Sequence, residues 1–510
     1  MEPREYQKVI LETAKDHNTL IVIPTGLGKT LIAFLLMKHY LEKFPKGKIL
    51  ILAPTRPLVE QHFKYFEENL PELYAELQMF TGKVDAKERE KLWQMANVIF
   101  STPQCIANDL KKRKIDLSEV SLLVEDEAHR CLKNYDYTYV AKKFLETPHT
   151  VSSPRIIGMT ASPGSDNETI RNICENLNIQ KIEARHRESE DVKAYVEKLS
   201  HETLKVDLTK EIIEISDLIK HIYASKIMEL KNRKLLFGPG NKKTLLDLQM
   251  RLAGRLKGGD KHFNVLRGMS VCAQAIKVGH ALELIETQGI SQTHKYFQKI
   301  IDDSNKGKSK AAKQIANNPD FMTAFTKMTQ QLGGISHPKM EKLKEVVENE
   351  IKANPKARFI IFAQYRDTVV AINKLINEIP GIKSRVFVGQ MKKDDTGLSQ
   401  KEQQHVLNEF RFREVNALTA TSIGEEGLDL PEVSAVIFYE PIPSAIRSIQ
   451  RRGRTARLKP GKLIVLLTKK TKDEINYFVS ARKEKKMYKI LGEIKQKLDN
   501  PEKTRQNTLF

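Results

Sequence analysis

Short apolar runs separated by longer amphipathic stretches organise the first 190 residues. Residues 20–23, 48–53, 97–100, 122–125 and 155–159 each have the length of a buried strand, and helix-compatible sequence follows each. Runs without polar alternation suit strands covered on both faces, so the pattern predicts βαβ units around a parallel sheet. It returns beyond residue 335, at 358–362, 384–388, 417–420, 435–438 and 462–467. Between the two halves the period changes. Ile212, Ile215, Leu218, Ile219 and Ile222 recur at helical spacing, with breaks at Phe237-Gly-Pro-Gly240 and Gly258-Gly259. The expected division is an α/β domain over 1–195, an all-helical insert over 196–334, a second α/β domain over 335–490 and a basic tail over 491–510.

A chain of 510 residues exceeds what one core supports, in keeping with several domains. The net charge of +21 draws in polyanions, although a solubility surface would carry the same sign. Residues 201–330 hold 22 Lys/Arg against 13 Asp/Glu, concentrated between Lys226 and Arg267. The four cysteines, Cys105, Cys131, Cys174 and Cys272, include no CxxC pair, which argues against a zinc site or disulfide framework and for a cytosolic setting. No uncharged apolar run is long enough to cross a bilayer, and no membrane association is expected.

Pro24-Thr25-Gly26-Leu27-Gly28-Lys29-Thr30 follows an apolar strand and opens an apolar helix. Glycines there let backbone N–H groups turn inward around phosphates, and the helix N-terminus adds its positive dipole end. Lys29 would reach the β- and γ-phosphates of ATP, and Thr30 would ligate Mg2+. Ile23 stands where the strict phosphate-loop pattern has Gly. Asp126-Glu127-Ala128-His129 ends another apolar run, which places its carboxylates at the carboxyl edge of the sheet. Asp126 would hold Mg2+ through water, and Glu127 would orient and deprotonate the attacking water.

With these two motifs the chain resembles a superfamily 2 helicase of the DEAH-box type, and further motifs stand in that family's order. Arg4 and Tyr6-Gln7 resemble the adenine-recognising Q motif. Thr55-Arg56 within Ala53–Leu58, Thr81-Gly82 and Thr102 within Ser101–Gln104 resemble motifs Ia, Ib and Ic, which line the nucleic-acid path. Thr160-Ala161-Ser162 resembles motif III, and Phe362 to Arg366 motif IV. Thr421 to Asp429, with Gly427, resembles motif V. Gln450 to Arg457 resembles motif VI, and by that resemblance Arg454 and Arg457 are arginine fingers. The resemblance implies two RecA-like domains with ATP and Mg2+ between them.

Residues 156–164, 422–431 and 439–447, with the insert, resemble the branch of that family holding the archaeal Hef and eukaryotic Fanconi anaemia group M proteins. Dicer and RNA-sensor helicases share the insert, so an RNA-directed ATPase is the alternative. The branch implies action on forked or branched DNA, single- and double-stranded, in repair and fork restart, with a thumb-like insert gripping duplex. Lys231, Arg233, Lys234, Lys242, Lys243, Arg251 and Arg255 are the candidate duplex contacts; a solvated helix face is the bland alternative. Many Hef proteins continue into a nuclease that these 510 residues do not encode, so the expectation is a stand-alone helicase or a truncated chain, with a nuclease as a possible separate partner. Gln506-Asn507-Thr508-Leu509-Phe510 resembles the start of a sliding-clamp motif, or is an arbitrary polar tail. Glu125 departs from the family's apolar residue; it would either crowd the Mg2+ site or point to the other face of the strand.

Overall fold

The computed structural model of the chain describes residues 2–71, 74–197, 199–389, 397–421, 430–453, 455 and 460–500. The first domain contains strands β1 (Thr19–Val22), β2 (Lys48–Leu52), β3 (Leu77–Phe80), β4 (Val98–Ser101), β5 (Val120–Asp126), β6 (Arg155–Thr160) and β7 (Lys181–Ala184). Its helices are α1 (Glu5–Asp16), α2 (Lys29–Lys43), α3 (Arg56–Asn69), α4 (Ala86–Met95), α5 (Pro103–Lys111), α6 (Asp136–Glu146), α7 (Asn167–Asn176) and α8 (Glu190–Lys193). All strand pairings are parallel, in the order β3-β4-β2-β5-β6-β1-β7. The central strands are buried and mostly apolar because helices cover both faces, giving one core around Leu50 and Leu123 and another around Ile51 and Val124.

The chain then adds strand β8 (Leu199–Val206) before entering six helices: α9 (Lys210–Asn232), α10 (Lys242–Lys257), α11 (Phe263–Thr287), α12 (Ile290–Asn305), α13 (Lys310–Ala316) and α14 (Pro319–Gln330). The second domain follows with α15 (Pro338–Ala353), β9 (Phe359–Phe362), α16 (Arg366–Ile376), β10 (Ser384–Phe387), α17 (Gln400–Arg411), β11 (Ala417–Ala420), β12 (Ala435–Phe438), α18 (Ala445–Arg452), β13 (Gly461–Thr468) and α19 (Lys472–Asp499). Its parallel sheet runs β10-β11-β9-β12-β13-β8. Two RecA-like parallel-sheet domains with a helical insert are therefore the architecture.

Two expected boundaries move. Residues 199–206, assigned to the insert, form the edge strand β8, pairing with β13 over its whole length. Residues 491–499, assigned to a tail, belong to the long helix α19. Leu491 and Ile494 of that helix are buried in the first domain's core, and Lys181 Nζ lies 2.7 Å from Asp499 Oδ1. The last helix thus straps the second domain to the first. Tail residues 501–510, with the clamp-like segment, lie outside the described residues.

The insert has two cores. Ile212, Ile215, Ile219 and Ile222 of α9 pack against α11, α12, α13 and α14, where Phe297 and Phe321 stack at 4.1 Å. Farther along, Leu230, Leu245, Leu248 and Val271 close a smaller core between α9, α10 and α11. The insert is anchored to the second domain by Thr368 Oγ1 donating to Gln288 Oε1 at 2.7 Å, and by His337 Nε2, 3.1 Å from Glu286 O. The four cysteines are free and buried, and among the described residues no helix is long and apolar enough to cross a membrane.

Candidate active site

The turn after β1 is shaped by its glycines. Gly26 and Gly28 have φ of +89° and +79°, the left-handed region that side chains disfavour. A methyl group at Gly28 would also lie 2.3 Å from Gln7 Nε2 and displace that side chain from the loop. Helix α1 clamps the loop from outside: Tyr6 Oη and Gln7 Nε2 both donate to Leu27 O, at 2.8 and 3.1 Å. Arg4 N donates to Gln7 Oε1, and the Arg4 guanidinium lies 5.2 Å over the Tyr195 ring. The expected adenine-recognising residues thus gather beside the phosphate loop. Lys29, the first residue of α2, donates Nζ to Ile23 O at 3.0 Å, and Thr30 follows it on the helix.

Asp126 and Glu127 end β5 on the same edge. Asp126 is buried, which raises a carboxyl pKa, yet His62 and Lys29 outweigh that and hold it below the ordinary range. His62 Nε2 lies 2.9 Å from Asp126 Oδ2, and both side chains are almost inaccessible. His62 escaped the sequence reading because it is a lone histidine on α3, sixty-four residues from its partner. Glu127 has φ +55°, and its Oε2 lies 3.2 Å from His129 Nδ1. That same Nδ1 is 3.1 Å from Thr160 Oγ1, so the carboxylate meets motif III through one imidazole. Ser162 of that motif donates Oγ to Met487 Sδ of α19 at 3.0 Å, reaching the helix that returns from the second domain.

Glu125 points the other way. Successive strand residues alternate faces, so Asp126 meets His62 while Glu125 enters the opposite core beside Cys131 and Tyr137. Burial pushes its carboxyl well above the ordinary range. It does not crowd the phosphate side.

The nucleic-acid candidates of the first domain fall along one edge. Thr55 and Thr102 stand immediately before α3 and α5, and Gly82 follows β3, so all three sit beyond the carboxyl ends of β2, β4 and β3. Helix N-termini there offer backbone N–H groups to phosphates. Arg56 pairs with Glu60 at 2.6 Å. In the second domain Arg366 opens α16 after β9, and Thr421 follows the neighbouring β11. Of the insert candidates, Lys231, Lys234, Lys242, Lys243 and Arg251 are exposed. Arg233 is engaged by Glu229 at 3.1 Å, and Arg255 by Asp260 at 2.7 Å.

Motif VI enters the cleft through α18. Gln450 is buried. Arg451 is buried with its guanidinium 4.8 Å over Phe362, and Arg452 pairs with Glu484 of α19, so both guanidiniums are engaged within the second domain. Gly453, at the end of α18, abuts the phosphate loop: a methyl group there would lie 2.6 Å from Thr25 Cβ. Arg187 of the first domain donates to Thr455 O at 3.3 Å. Arg454, Arg457, Gly427 and Asp429 lie outside the described residues.

The residues fit a nucleoside triphosphate: a turn whose two glycines hold positive φ, a lysine at its end, and a carboxylate held below the ordinary range nearby. Among the described residues no three His, Cys, Asp or Glu converge as a metal cage. Thr30 and Asp126 are the oxygen donors that would be available to Mg2+, which keeps waters and substrate phosphates among its ligands.

Family models match three segments: DEAD/DEAH box helicase over residues 4–170, a putative ATP-dependent RNA helicase helical bundle over 209–333, and the helicase conserved C-terminal domain over 338–459. A putative ATP-dependent RNA helicase of Methanocaldococcus jannaschii is 38% identical across 96% of this chain, which spans 61% of that protein. The Fanconi anemia group M protein homolog of mouse is 33% identical across 96% of this chain, which spans 26% of it. The crystal structure of the Pyrococcus furiosus Hef helicase domain is 41% identical, with a TM-score of 0.70, covering 94% of this chain and 98% of that one.

Proposed function

The chain belongs to the superfamily 2 DEAD/DEAH-box helicases, as a relative of the Hef helicase domain, and we propose that it is an ATP-driven motor acting on forked or branched DNA. The observation that carries the motor part of this reading is the packing of Gly453 on Thr25, which brings the end of motif VI to the phosphate loop. In the proposed cycle, Lys29 and the loop amides bind the phosphates, and Thr30 and Asp126 are the residues that would hold Mg2+. The ion, when bound, supplies charge neutralisation at the β- and γ-phosphates. Glu127, fixed by His129, takes the proton of the attacking water. Arg454 and Arg457, near Gly453 and Thr455 in the sequence, would bring positive charge to the γ-phosphate as the cleft closes. The contacts from Glu127 through His129 and Thr160 to Ser162, and on to α19, would pass the nucleotide state to the second domain.

Grip is assigned to Thr55, Gly82, Thr102, Arg366 and Thr421, contacting phosphate and sugar, and preference for branched shape to the insert. Several relatives carry ATP-dependent DNA helicase names, which supports DNA. A second reading, action on RNA, is favoured by the names of the Methanocaldococcus relative and of the helical-bundle model. The deciding experiment measures ATPase rate with matched single-stranded, duplex and forked DNA and duplex RNA at one salt concentration. Strongest stimulation by forked DNA supports the proposal. Strongest stimulation by duplex RNA replaces it with the second reading, and no stimulation by any of them refutes a nucleic-acid motor.

A further inference from the structure

The outer end of the insert shows large apolar rings to solvent although a core lies within reach. Phe237 is 74% exposed and Phe263 is 70% exposed, while their neighbours Leu235, Leu236 and Val265 are buried. The loop bearing Phe237 is tied down on both sides. Leu235 fills the space that Gly268 leaves, where a methyl group would lie 2.2 Å from Leu235 Cδ1. Gly240 is pressed against Ile227, and Tyr223 Oη donates to Gly240 O. Phe263 opens α11 behind its cap His262, and the Arg233 guanidinium stands 6.0 Å over its ring while bonding Asn264. The backbone that carries both rings is therefore fixed by built structure.

Their surroundings are basic. Residues 231–267 hold ten Lys/Arg against two Asp/Glu, and one of those acids, Asp260, is occupied by Arg255. Lys231, Lys234, Lys242, Lys243 and Lys261 are exposed. Exposed rings and the nearby Met228 and Met250 would also suit a protein interface, but such interfaces are depleted in lysine, so the surplus of cations favours a polyanion. Aromatic faces beside cations match a nucleic-acid strand whose bases are unstacked, the rings taking bases and the lysines phosphates. A continuous duplex would leave the rings without a partner, because its bases already stack on one another.

Resting on the motor reading above, we propose that Phe237 and Phe263 form a stacking surface for unpaired bases beside a duplex end or branch point. The test uses the full chain and two double variants, F237A/F263A and F237L/F263L; the substituted sites are exposed, so folding is expected to survive. Binding is followed by anisotropy, at one salt concentration, to a fork with unpaired arms and to a blunt duplex of equal length. Both variants should lose about tenfold or more on the fork and stay within about twofold on the duplex. A 2-aminopurine placed in the arm next to the junction should be quenched by the parent protein and not by the variants. Equal losses on both substrates, unchanged binding to both, or full binding by the leucine variant would each overturn the stacking surface. Failure of the parent protein to bind either substrate would instead refute the motor reading beneath it.

Discussion

The phosphate corner of the first domain and the outer end of the insert handle charge in opposite ways. In the corner, ionisable groups are buried or nearly so and set close to partners: Asp126 beside His62, Glu127 3.2 Å from His129. At the insert's end, lysines stand in solvent and rings are exposed beside them. Chemistry on a phosphate needs charges set in advance where water does not screen them, so it is built inside and depends on single atoms. Grip on a polyanion comes from releasing counterions along a surface, so it is a sum over many screened charges. One region should break at a single substitution and the other should wear down by degrees.

The sharpest test is Lys29→Ala, expected to cut ATP hydrolysis by about 100-fold or more while leaving salt-sensitive DNA binding near its original affinity. ATPase assays and anisotropy on one preparation check it; loss of binding together with hydrolysis would erase the contrast between the regions. His62→Ala comes next. A partner that orients a metal-binding carboxylate is worth about 10- to 100-fold, so turnover should fall by that factor with the nucleic-acid Kd unchanged. Partial rescue by His62→Gln, which restores a donor to Asp126, would separate positioning from mere packing.

His337, at the junction of insert and second domain, extends the comparison to stability. Burial lowers its pKa from the ordinary value to about 3, and Lys339 N donates to its Nδ1, as a neutral ring requires. The unfolded chain protonates below about pH 6.5 while the native ring stays neutral, so its contribution is intact above that pH and is lost as pH falls toward 3. Between pH 6.5 and 5 the native protein should lose about 2 kcal/mol more than His337→Gln, read from denaturant melts at both values. The smallest effect is reserved for the insert. K242A/K243A should weaken binding severalfold and reduce the salt slope by about two, measured as log Kd against log salt. A collapse of binding at this one pair would make the insert as atom-sensitive as the cleft.

Much of the fold was legible because buried parallel strands are continuous apolar runs. The runs at 20–23, 48–53 and 122–125 correspond to β1, β2 and β5 within a residue or two. The strands β3, β7 and β8 went unread for a physical reason. They lie at or beside sheet edges, and the partly exposed residues of β3 and β8 carry no continuous apolar signal. The phosphate loop and the Asp126-Glu127 pair were legible from spacing. His62 was not, since nothing local marks a histidine on an amphipathic helix as the partner of a distant carboxylate.

The sequence by itself determined the element types and the two-halves-and-insert plan and pointed to candidate phosphate-holding residues, because these depend on local periodicity and on fixed spacing along the chain. Tertiary structure alone decided three further matters. It turned Glu125 to the face opposite Asp126, carried α19 back across the first domain, and brought Gly453 against Thr25. Each depends on how elements far apart in the chain meet, and side-chain packing across such gaps leaves no period for a sequence to show.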